Sequence, residues 1–183
     1  MHPITRVALA AAWLAWAYPF IFRAPHSQKR ESVTVATPTR IGIVLQIVGI
    51  GTAFIHRSPP RVNSTVLIAM LFFAALGIVL SWTAVRHLGK QFRVQAGLYV
   101  DHELVRTGPY AIVRHPIYAS LLSMLLATIA LLTPWPRAII SLVFFVIGTE
   151  IRVRTEDRLL ASRFGEEFEK YRKSVPAYVP LVR

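Results

Sequence analysis

The sequence is dominated by long apolar runs that alternate with short basic stretches. Five apolar segments stand out along the chain: Val7–Phe22, Ile41–Ile55, Val66–Val85, Ile117–Thr133 and Ala138–Ile151. A transmembrane helix needs about 20 mainly apolar residues, and shorter segments are tolerated where flanking Arg and Trp anchor them. The third segment meets this length outright. The pattern therefore predicts an all-α polytopic membrane protein with about five transmembrane helices.

The distribution of charge predicts how these segments are oriented. The chain carries a net charge of +12 at pH 7, but its basic residues lie beside apolar runs rather than in one patch, so nucleic acid is not expected as a partner. With the N-terminus outside, 17 Lys and Arg residues fall on the inner side (four in residues 23–40, five in 86–116 and eight from Arg152 onward) and four fall outside. This asymmetry predicts an integral membrane protein with a cytoplasmic C-terminus, in contact with membrane lipids.

Small residues and prolines indicate how the segments pack and turn. Four glycines in the second and third segments are expected to allow close approach of helices; they are Gly42, Gly49, Gly51 and Gly77. Residues 134–136, Pro-Trp-Pro, predict a tight turn that makes the last two segments a helical hairpin.

The organisation of the chain favours one domain. No internal repeat is evident, so we expect residues 1–183 to form a single membrane domain, with N-terminal helices in residues 1–85 and the half that holds the candidate sites in 86–183. The first apolar segment has a second interpretation as a signal peptide, with Arg6 before it and a cleavage site at Ala15–Ala17. Its two Trp residues and the flanking Arg23 favour a retained anchor.

A polar stretch on the predicted cytoplasmic side is the first candidate site. It leads into Arg114–Tyr118 (Arg-His-Pro-Ile-Tyr) at the start of the fourth segment. Proline suits a first helical turn, and the free N–H groups at a helix start attract anions. With Arg114 beside them, these groups predict a carboxylate or phosphate site. The alternative is that Arg114 and His115 only contact lipid headgroups.

A second constellation follows the fifth segment. Arg152 and Glu156, like Glu150 and Arg154, are spaced one helical turn apart, which favours i,i+4 ion pairs. Such pairs often only solvate a helix, but Glu150 lies within the apolar segment, where an ionisable residue usually has a partner or a task. Apolar residues at helical spacing beyond residue 158 predict an amphipathic C-terminal helix that rests on the membrane or packs on the bundle and ends at residues 174–176.

Several common sites are absent from the sequence. There is no Gly-rich nucleotide loop, no serine-hydrolase elbow and no His-Glu-x-x-His zinc motif. Cysteine is absent and the six histidines are scattered, so no metal is expected. A soluble Rossmann-type methyltransferase is excluded because no strands alternate with helices.

Residues from about Gln95 to Pro180 resemble the isoprenylcysteine carboxyl methyltransferase family and its bacterial and phospholipid-methyltransferase relatives. The resemblance is carried by six elements in order: His102–Val105, Gly108–Tyr110, Arg114–Tyr118, the acidic pair Glu156-Asp157, Phe164–Phe168 with Tyr171, and Val175-Pro176. Asp157 departs from the pattern, since relatives commonly carry a second Glu there. The Gly-Pro-Tyr form is typical of bacterial members, which indicates a bacterial inner membrane and weakens the case for a prenylated protein as substrate.

The resemblance implies a cytoplasmic pocket for S-adenosyl-L-methionine, with S-adenosyl-L-homocysteine as product. The implied cofactor residues are Gln95, His102, Glu103, Leu104, Val105, Tyr110, His115, Pro116, Ile117, Tyr118 and Glu156, beside which the anion-site argument adds Arg114. Arg152 is implied to face the substrate near the transferring methyl group, so Arg152 and Glu156 are the expected catalytic residues.

The expected function is methyl transfer to a lipophilic acceptor, with a carboxylate favoured because Arg152 would orient an anion. An amine acceptor would instead need a base, for which Glu156, Glu103 and His115 are candidates. Two other functions stay open: a membrane reductase of the steroid-reductase type, and a non-enzymatic membrane scaffold or lipid-binding protein. A scaffold predicts that the polar residues of 95–118 and 150–158 do not converge into a closed pocket.

Overall fold

A computed structural model describes residues 3–22, 32–35, 38–55, 63–92, 97–99 and 103–179. The described chain is dominated by six helices, as the all-α prediction requires. The helices are α1 (Pro3–Phe22), α2 (Pro38–Phe54), α3 (Ser64–Leu88), α4 (Pro116–Leu132), α5 (Trp135–Phe164) and α6 (Glu166–Ser174). The structure adds a two-stranded antiparallel ribbon of β1 (Ser32–Val35) and β2 (Gly97–Tyr99) that the sequence did not predict.

Each of the five predicted apolar segments is a helix. Two of them, α1 and α3, are long and apolar enough to cross a membrane, whereas α2 and α4 are shorter apolar helices. The fifth differs most from prediction, because α5 continues from the apolar segment to Phe164 as one helix of 30 residues. This extension places Arg152, Arg154 and Glu156 on the same helix as the apolar segment.

Two helix pairs form the body of the molecule, α2 with α5 and α3 with α4. The glycines allow these contacts: a Cβ on Gly42 would lie 2.6 Å from Arg152 Cγ, and one on Gly77 would lie 2.9 Å from Met124 Cγ. Gly49 is similarly close to Ser141 and Phe145. The expectation for Gly51 was wrong, because a Cβ on this glycine would meet no atom within 4 Å. Gly148, which was not singled out in the sequence, lies on α5 directly against the α2 backbone.

Tryptophan side chains connect α1 to α3 and α4 by hydrogen bonds. Trp13 Nε1 donates to Thr128 Oγ1 at 3.1 Å, and Trp16 Nε1 donates to Ser120 Oγ at 3.0 Å, both on α4. From α3, Trp82 Nε1 donates to the Ala15 carbonyl at 2.9 Å. Buried Trp N–H groups usually find such partners. α1 is thereby held where its last turns reach the functional site described below.

The C-terminal segment packs back on the bundle. A glycine with φ of 53°, Gly165, separates α5 from α6. Phe168 and Tyr171 are the buried face of α6, and Tyr171 Oη donates to the Tyr110 carbonyl at 2.5 Å. The end at Ser174 is as predicted and α6 packs on the protein, but the predicted amphipathic helix is interrupted at Gly165, so that Leu159, Leu160 and Phe164 lie on α5. Pro180 lies outside the described residues.

The outer faces of the helices are apolar. Exposed large side chains include Ile41 and Val44 on α2, Leu71 and Phe72 on α3, and Val143 on α5. Exposed contiguous apolar surface of this kind is unfavourable in water and is typical of contact with lipid or a partner. It agrees with the membrane character predicted from the sequence.

The α2–α5 contact gives a first test of the packing. We expect Gly148→Ala to destabilise the protein by about 1–3 kcal/mol, because overpacking of a tight contact costs that much. Its Cβ would lie 2.6 Å from the Gly42 carbonyl and 2.9 Å from Gln46 N, both α2 backbone atoms that cannot rotate away. Thermal unfolding in detergent measures the effect.

Gly51→Ala is the matched control. The same substitution on α2 meets open space, so we expect it to stabilise the protein by about 0.5–1 kcal/mol through helix propensity. Equal responses of the two variants would contradict the proposed role of Gly148 in helix approach.

Candidate functional site

A cavity of about 400 Å³ lies where α1, the end of α3, the start of α4 and the inner part of α5 meet. A volume of this size is within the usual range for small-molecule sites. The cavity is lined by every described residue that was predicted for the site. These residues are Glu103, Leu104, Val105, Tyr110, Arg114, His115, Pro116, Ile117, Tyr118, Arg152 and Glu156. Gln95 and His102 lie outside the described residues.

The two polar stretches singled out in the sequence therefore converge. Residues 103–118 supply one side of the cavity, and Arg152 and Glu156 of α5 supply another. This convergence is the arrangement that a purely structural scaffold was not expected to have.

A tight turn before α4 positions Tyr110. Residues Gly108–Ala111 form a single 3₁₀ turn with Pro109 at its start. Gly108 has a φ of 59°, which favours glycine, and a Cβ there would lie 2.4 Å from His87 Nε2. The backbone of this turn packs directly on the His87 ring at the end of α3. Tyr110 is buried as a result, and burial raises the pKa of its phenol, which stays neutral.

A buried charged cluster surrounds the start of α4. Asp157 accepts hydrogen bonds from two neighbours: Arg114 Nη2 is 3.0 Å from its Oδ2, and His115 Nε2 is 2.8 Å from its Oδ1. The other ring nitrogen, His115 Nδ1, lies 3.3 Å from Glu156 Oε2. Both carboxylates of the acidic pair thus contact His115 from adjacent positions of α5.

The charges of this cluster shift the pKa values within it. Burial by itself would lower the pKa of His115, but the hydrogen bonds to Asp157 and Glu156 outweigh it and raise the pKa to about 9. Burial would raise the pKa of Asp157, yet the His115 and Arg114 contacts hold it below its ordinary value. At neutral pH the His115 imidazolium and the Arg114 guanidinium therefore both contact the Asp157 carboxylate.

Arg114 has partners in the C-terminal segment as well. Its Nη1 donates to the carbonyls of Arg172 and Val175, and its backbone N donates to the Pro176 carbonyl at 2.9 Å. The next amide, His115 N, donates to the Ala177 carbonyl at 2.8 Å. The guanidinium of Arg114, which was predicted to lie beside an anion, thus donates to carbonyls of the chain itself. Arg114 still lines the cavity, and its Nε is buried with no partner among the described residues.

Among its contacts, Arg152 meets groups on α2, on α4 and on its own helix. Its Nε donates to Tyr118 Oη at 2.8 Å, and its Cζ lies 4.9 Å from the centre of the Tyr118 ring. Its Nη1 donates to Gln46 Oε1 at 3.3 Å, and its Nη2 lies 3.9 Å from Glu156 Oε1. Tyr118 Oη in turn donates to Glu156. The predicted i,i+4 pair of Arg152 and Glu156 is therefore present, bridged by a tyrosine.

Gln46 extends this network into α2. It is 3% exposed, and its Nε2 donates to Thr149 Oγ1 at 2.8 Å while its Oε1 accepts from Arg152. Both ends of the amide are used, and it holds the guanidinium through Nη1, whereas Tyr118 holds it through Nε. Gly42, one turn earlier, leaves room for the Arg152 stem.

The remaining wall of the cavity is largely apolar and comes from α1 and from the end of α3 with the turn that follows it. It includes Trp16 and Phe20 of α1 and Phe92 after α3. The rings of Phe20 and Phe92 are 5.6 Å apart, and those of Trp16 and Phe20 are 4.8 Å apart. The cavity thus has a charged side and an aromatic side.

Sequence reasoning missed the aromatic wall and several polar residues in or next to the cavity. Asp157 and Tyr171 had a signal, since both belong to the quoted motifs, and Gln46 was visible as a polar residue within an apolar segment. Gln91 had no signal, because nothing in the sequence around it distinguishes it from a solvated residue.

The fold and site together define a helical bundle with an apolar outer face and a cavity that combines carboxylates, guanidinium groups and aromatic rings. Such a bundle is typical of a membrane-associated protein that binds an amphiphilic ligand. The model of the isoprenylcysteine carboxyl methyltransferase (ICMT) family matches residues 67–162, just over half of the chain. The chain therefore belongs to the ICMT family.

Curated proteins also match part of this chain. A protein-S-isoprenylcysteine O-methyltransferase of Schizosaccharomyces pombe is 37% identical over 115 residues, which cover 61% of this chain and 48% of the relative. Protein-S-isoprenylcysteine O-methyltransferase B of Arabidopsis thaliana is 31% identical over 110 residues, covering 58% and 55%. The cobalt-zinc-cadmium resistance protein CzcN of Cupriavidus metallidurans is 36% identical over 93 residues, covering 48% and 42%. The chain spans about half the length of the curated relatives that it matches.

Proposed function

We propose that this protein is a membrane methyltransferase that uses S-adenosyl-L-methionine to methylate a lipophilic acceptor, with a carboxylate favoured. The observation that carries the proposal is the convergence of residues 103–118 with Arg152 and Glu156 on one cavity that also has an aromatic wall. Membership of the ICMT family supports the same activity, since the related proteins from fission yeast and Arabidopsis are named as methyltransferases.

The residues around the cavity fit this cofactor. When bound, S-adenosyl-L-methionine supplies an electrophilic methyl group on a cationic sulfonium and leaves as S-adenosyl-L-homocysteine. Glu103 and Glu156 place carboxylates at the cavity, and carboxylates and aromatic faces stabilise a nearby cation. Leu104, Val105 and Ile117 provide apolar surface beside them.

Arg152 is proposed to bind the acceptor. Its guanidinium is fixed by Tyr118 and Gln46 and lines the cavity, so it is preorganised to orient a carboxylate. A carboxylate needs no catalytic base, because its oxygen is already deprotonated at neutral pH. This is the chemical reason for favouring an acid over an amine.

We further propose five transmembrane spans with the cavity at the cytoplasmic side of a bacterial inner membrane. The lysine and arginine asymmetry supports this orientation, and the apolar outer faces of α2, α3 and α5 support contact with lipid. In this arrangement the acceptor reaches the cavity from the bilayer and the cofactor reaches it from the cytoplasm.

Calorimetric titration in detergent tests the cofactor site. We expect S-adenosyl-L-homocysteine to bind the wild type and Glu156→Gln to weaken binding at least about 10-fold, the usual cost of a lost charged contact. Glu150→Gln is the control, since this glutamate is on the same helix but pairs with exposed Arg154. Unchanged affinity in Glu156→Gln would refute the site assignment. Tight binding of NADPH instead would indicate the reductase.

The acceptor is identified by turnover. Incubation with methyl-labelled cofactor and a bacterial membrane lipid extract should label a lipid-soluble product whose label is released as methanol by mild alkali, as a methyl ester requires. A stable labelled product would rule out the carboxylate.

A further inference from the structure

The amide of Gln91 is buried at the cavity without a partner. Gln91 is 4% exposed and lines the cavity, and neither its Nε2 nor its Oε1 has a hydrogen-bond partner among the residues that the structure describes. Buried polar side chains are almost always paired, because an unpaired donor or acceptor loses its hydration without compensation. An orphaned amide at a cavity wall is therefore placed to bind something that enters the cavity.

The position of Gln91 indicates which part of a ligand it meets. It ends the 3₁₀ turn Gly89–Gln91 that follows α3. The next residue, Phe92, contacts Phe20 of α1. The residues proposed for the cofactor come from other parts of the chain, in 95–118 and at Glu156. Through its neighbour Phe92, Gln91 is placed at the aromatic wall of the cavity.

This wall is suited to the body of the acceptor. Leu88, Phe92 and Phe20 are apolar, and the polar atom of Trp16 already donates to Ser120. Ile21 also lines the cavity and is 59% exposed, so the wall opens onto the apolar outer face of α1. An acceptor with a hydrocarbon body fits this path, and Gln91 is the described polar side chain on it that lacks a partner.

We propose that Gln91 is a specificity residue that binds a neutral hydroxyl or amide group carried on the apolar acceptor. The inference rests on the proposed function, because that function identifies the ligand as the methyl acceptor. A primary amide donates through Nε2 and accepts through Oε1, so its complement is a neutral group that also donates and accepts. A plain hydrocarbon chain would leave both atoms unpaired. Sites built to bind a polar group reject analogues that lack it for this reason.

Binding of matched amphiphiles tests the proposal. Radiolabelled hexadecanoate, α-hydroxyhexadecanoate, β-hydroxyhexadecanoate and N-tetradecanoylglycine are titrated onto the protein in lipid nanodiscs, with empty nanodiscs as the baseline. We expect the wild type to bind at least one substituted acid about 10- to 100-fold more tightly than hexadecanoate. Gln91→Leu and Gln91→Met should abolish this preference while leaving the affinity for hexadecanoate unchanged or higher.

Two further measurements separate recognition from a structural role. Without ligand, Gln91→Leu should unfold at the same temperature as the wild type or higher, since it removes an unpaired buried amide. Phe92→Leu, a control on the same wall, should weaken all four acids equally. A wild type without preference, a preference that survives in Gln91→Leu, or a Gln91→Leu variant that weakens all acids equally would overturn the proposal. Weakened S-adenosyl-L-homocysteine binding with the preference intact would also overturn it.

The binding test of Gln91 and the test of the proposed function can fail independently of each other. Methyl transfer to these acids is measured independently with labelled cofactor in the same nanodiscs. A Gln91-dependent binding preference without methyl transfer would support recognition by Gln91 and count against carboxylate methylation. Methyl transfer without the preference would support carboxylate methylation and count against recognition by Gln91.

Discussion

We expect Asp157→Asn to destabilise the folded protein by about 3 kcal/mol or more, because removing one partner of a buried ion pair leaves an uncompensated charge. The side chains of Arg114 and Asp157 are 9% and 11% exposed, and they meet at 3.0 Å. Arginine stays protonated under all relevant conditions, so its charge cannot be relieved by losing a proton. The amide keeps the shape of Asp157, but it removes the charge and replaces one of the two oxygens that accept from Arg114 and His115 with a donor. Thermal or denaturant unfolding in detergent measures the loss.

Glu150→Gln provides the control for this prediction. It makes the same chemical change on the same helix, but its partner Arg154 is 68% exposed. Exposed pairs contribute little, so we expect a change of at most about 0.5 kcal/mol. Similar losses in the two variants would show that Asp157 acts only through the net charge of α5.

The pH dependence of stability is a second readout of the same cluster. Since the pKa of His115 is raised from 6.5 to about 9, its stabilisation is complete below pH 6.5 and is lost as the pH rises through about 9. The pKa of Asp157 is lowered, so its contribution is present above 3.8 and is lost only in stronger acid. We expect the unfolding temperature of the wild type to fall between about pH 7 and pH 10, and the slope to shrink in Asp157→Asn. An equal slope in both proteins would exclude this ion pair as its source.

The helices of this fold are largely predictable from the sequence, for a simple reason. A run such as Val66–Val85 is apolar except for Ser81 and Thr83, so it has few alternatives to a helix that buries its own backbone hydrogen bonds. The extension of α5 past Ile151 is less visible to hydropathy, and there the i,i+4 charges were the better indicator. The ribbon of β1 and β2 was not predicted, because strands of four and three residues carry too short a pattern.

The candidate site, like the fold, was predicted from the sequence only in part. Residues 103–118 with Arg152 and Glu156 were found because motifs in one half of the chain mark them. The contacts that complete the cavity join residues far apart in sequence: Gln46 and Arg152 are separated by 106 positions, and Trp16 and Ser120 by 104. Such contacts depend on how α1 and α2 pack, which local periodicity does not specify. The orphaned amide of Gln91 is visible only once its surroundings are known.

The second large effect is expected at Arg152. We expect Arg152→Lys to lower kcat/KM for a carboxylate acceptor about 100-fold, in the range found when a preorganised charged donor is removed from an active site. Lysine keeps the charge, but it lacks the planar fork that donates to Tyr118 and Gln46 at the same time. The acceptor would then meet a cation that is no longer fixed in position. Turnover with labelled cofactor across acceptor concentrations gives the separate changes in kcat and KM.

Gln46→Leu separates positioning from direct contact with the acceptor. Because Gln46 holds Arg152 through one hydrogen bond of 3.3 Å, we expect a smaller loss of about 10-fold, and little further loss when it is combined with Arg152→Lys, since both act on one guanidinium. Cofactor affinity should stay within about threefold in Arg152→Lys, and Arg154→Lys on the exposed face of α5 should behave as wild type. Additive losses in the double variant would mean that Gln46 does not act through Arg152. A parallel loss of cofactor affinity would instead place Arg152 on the cofactor side of the cavity.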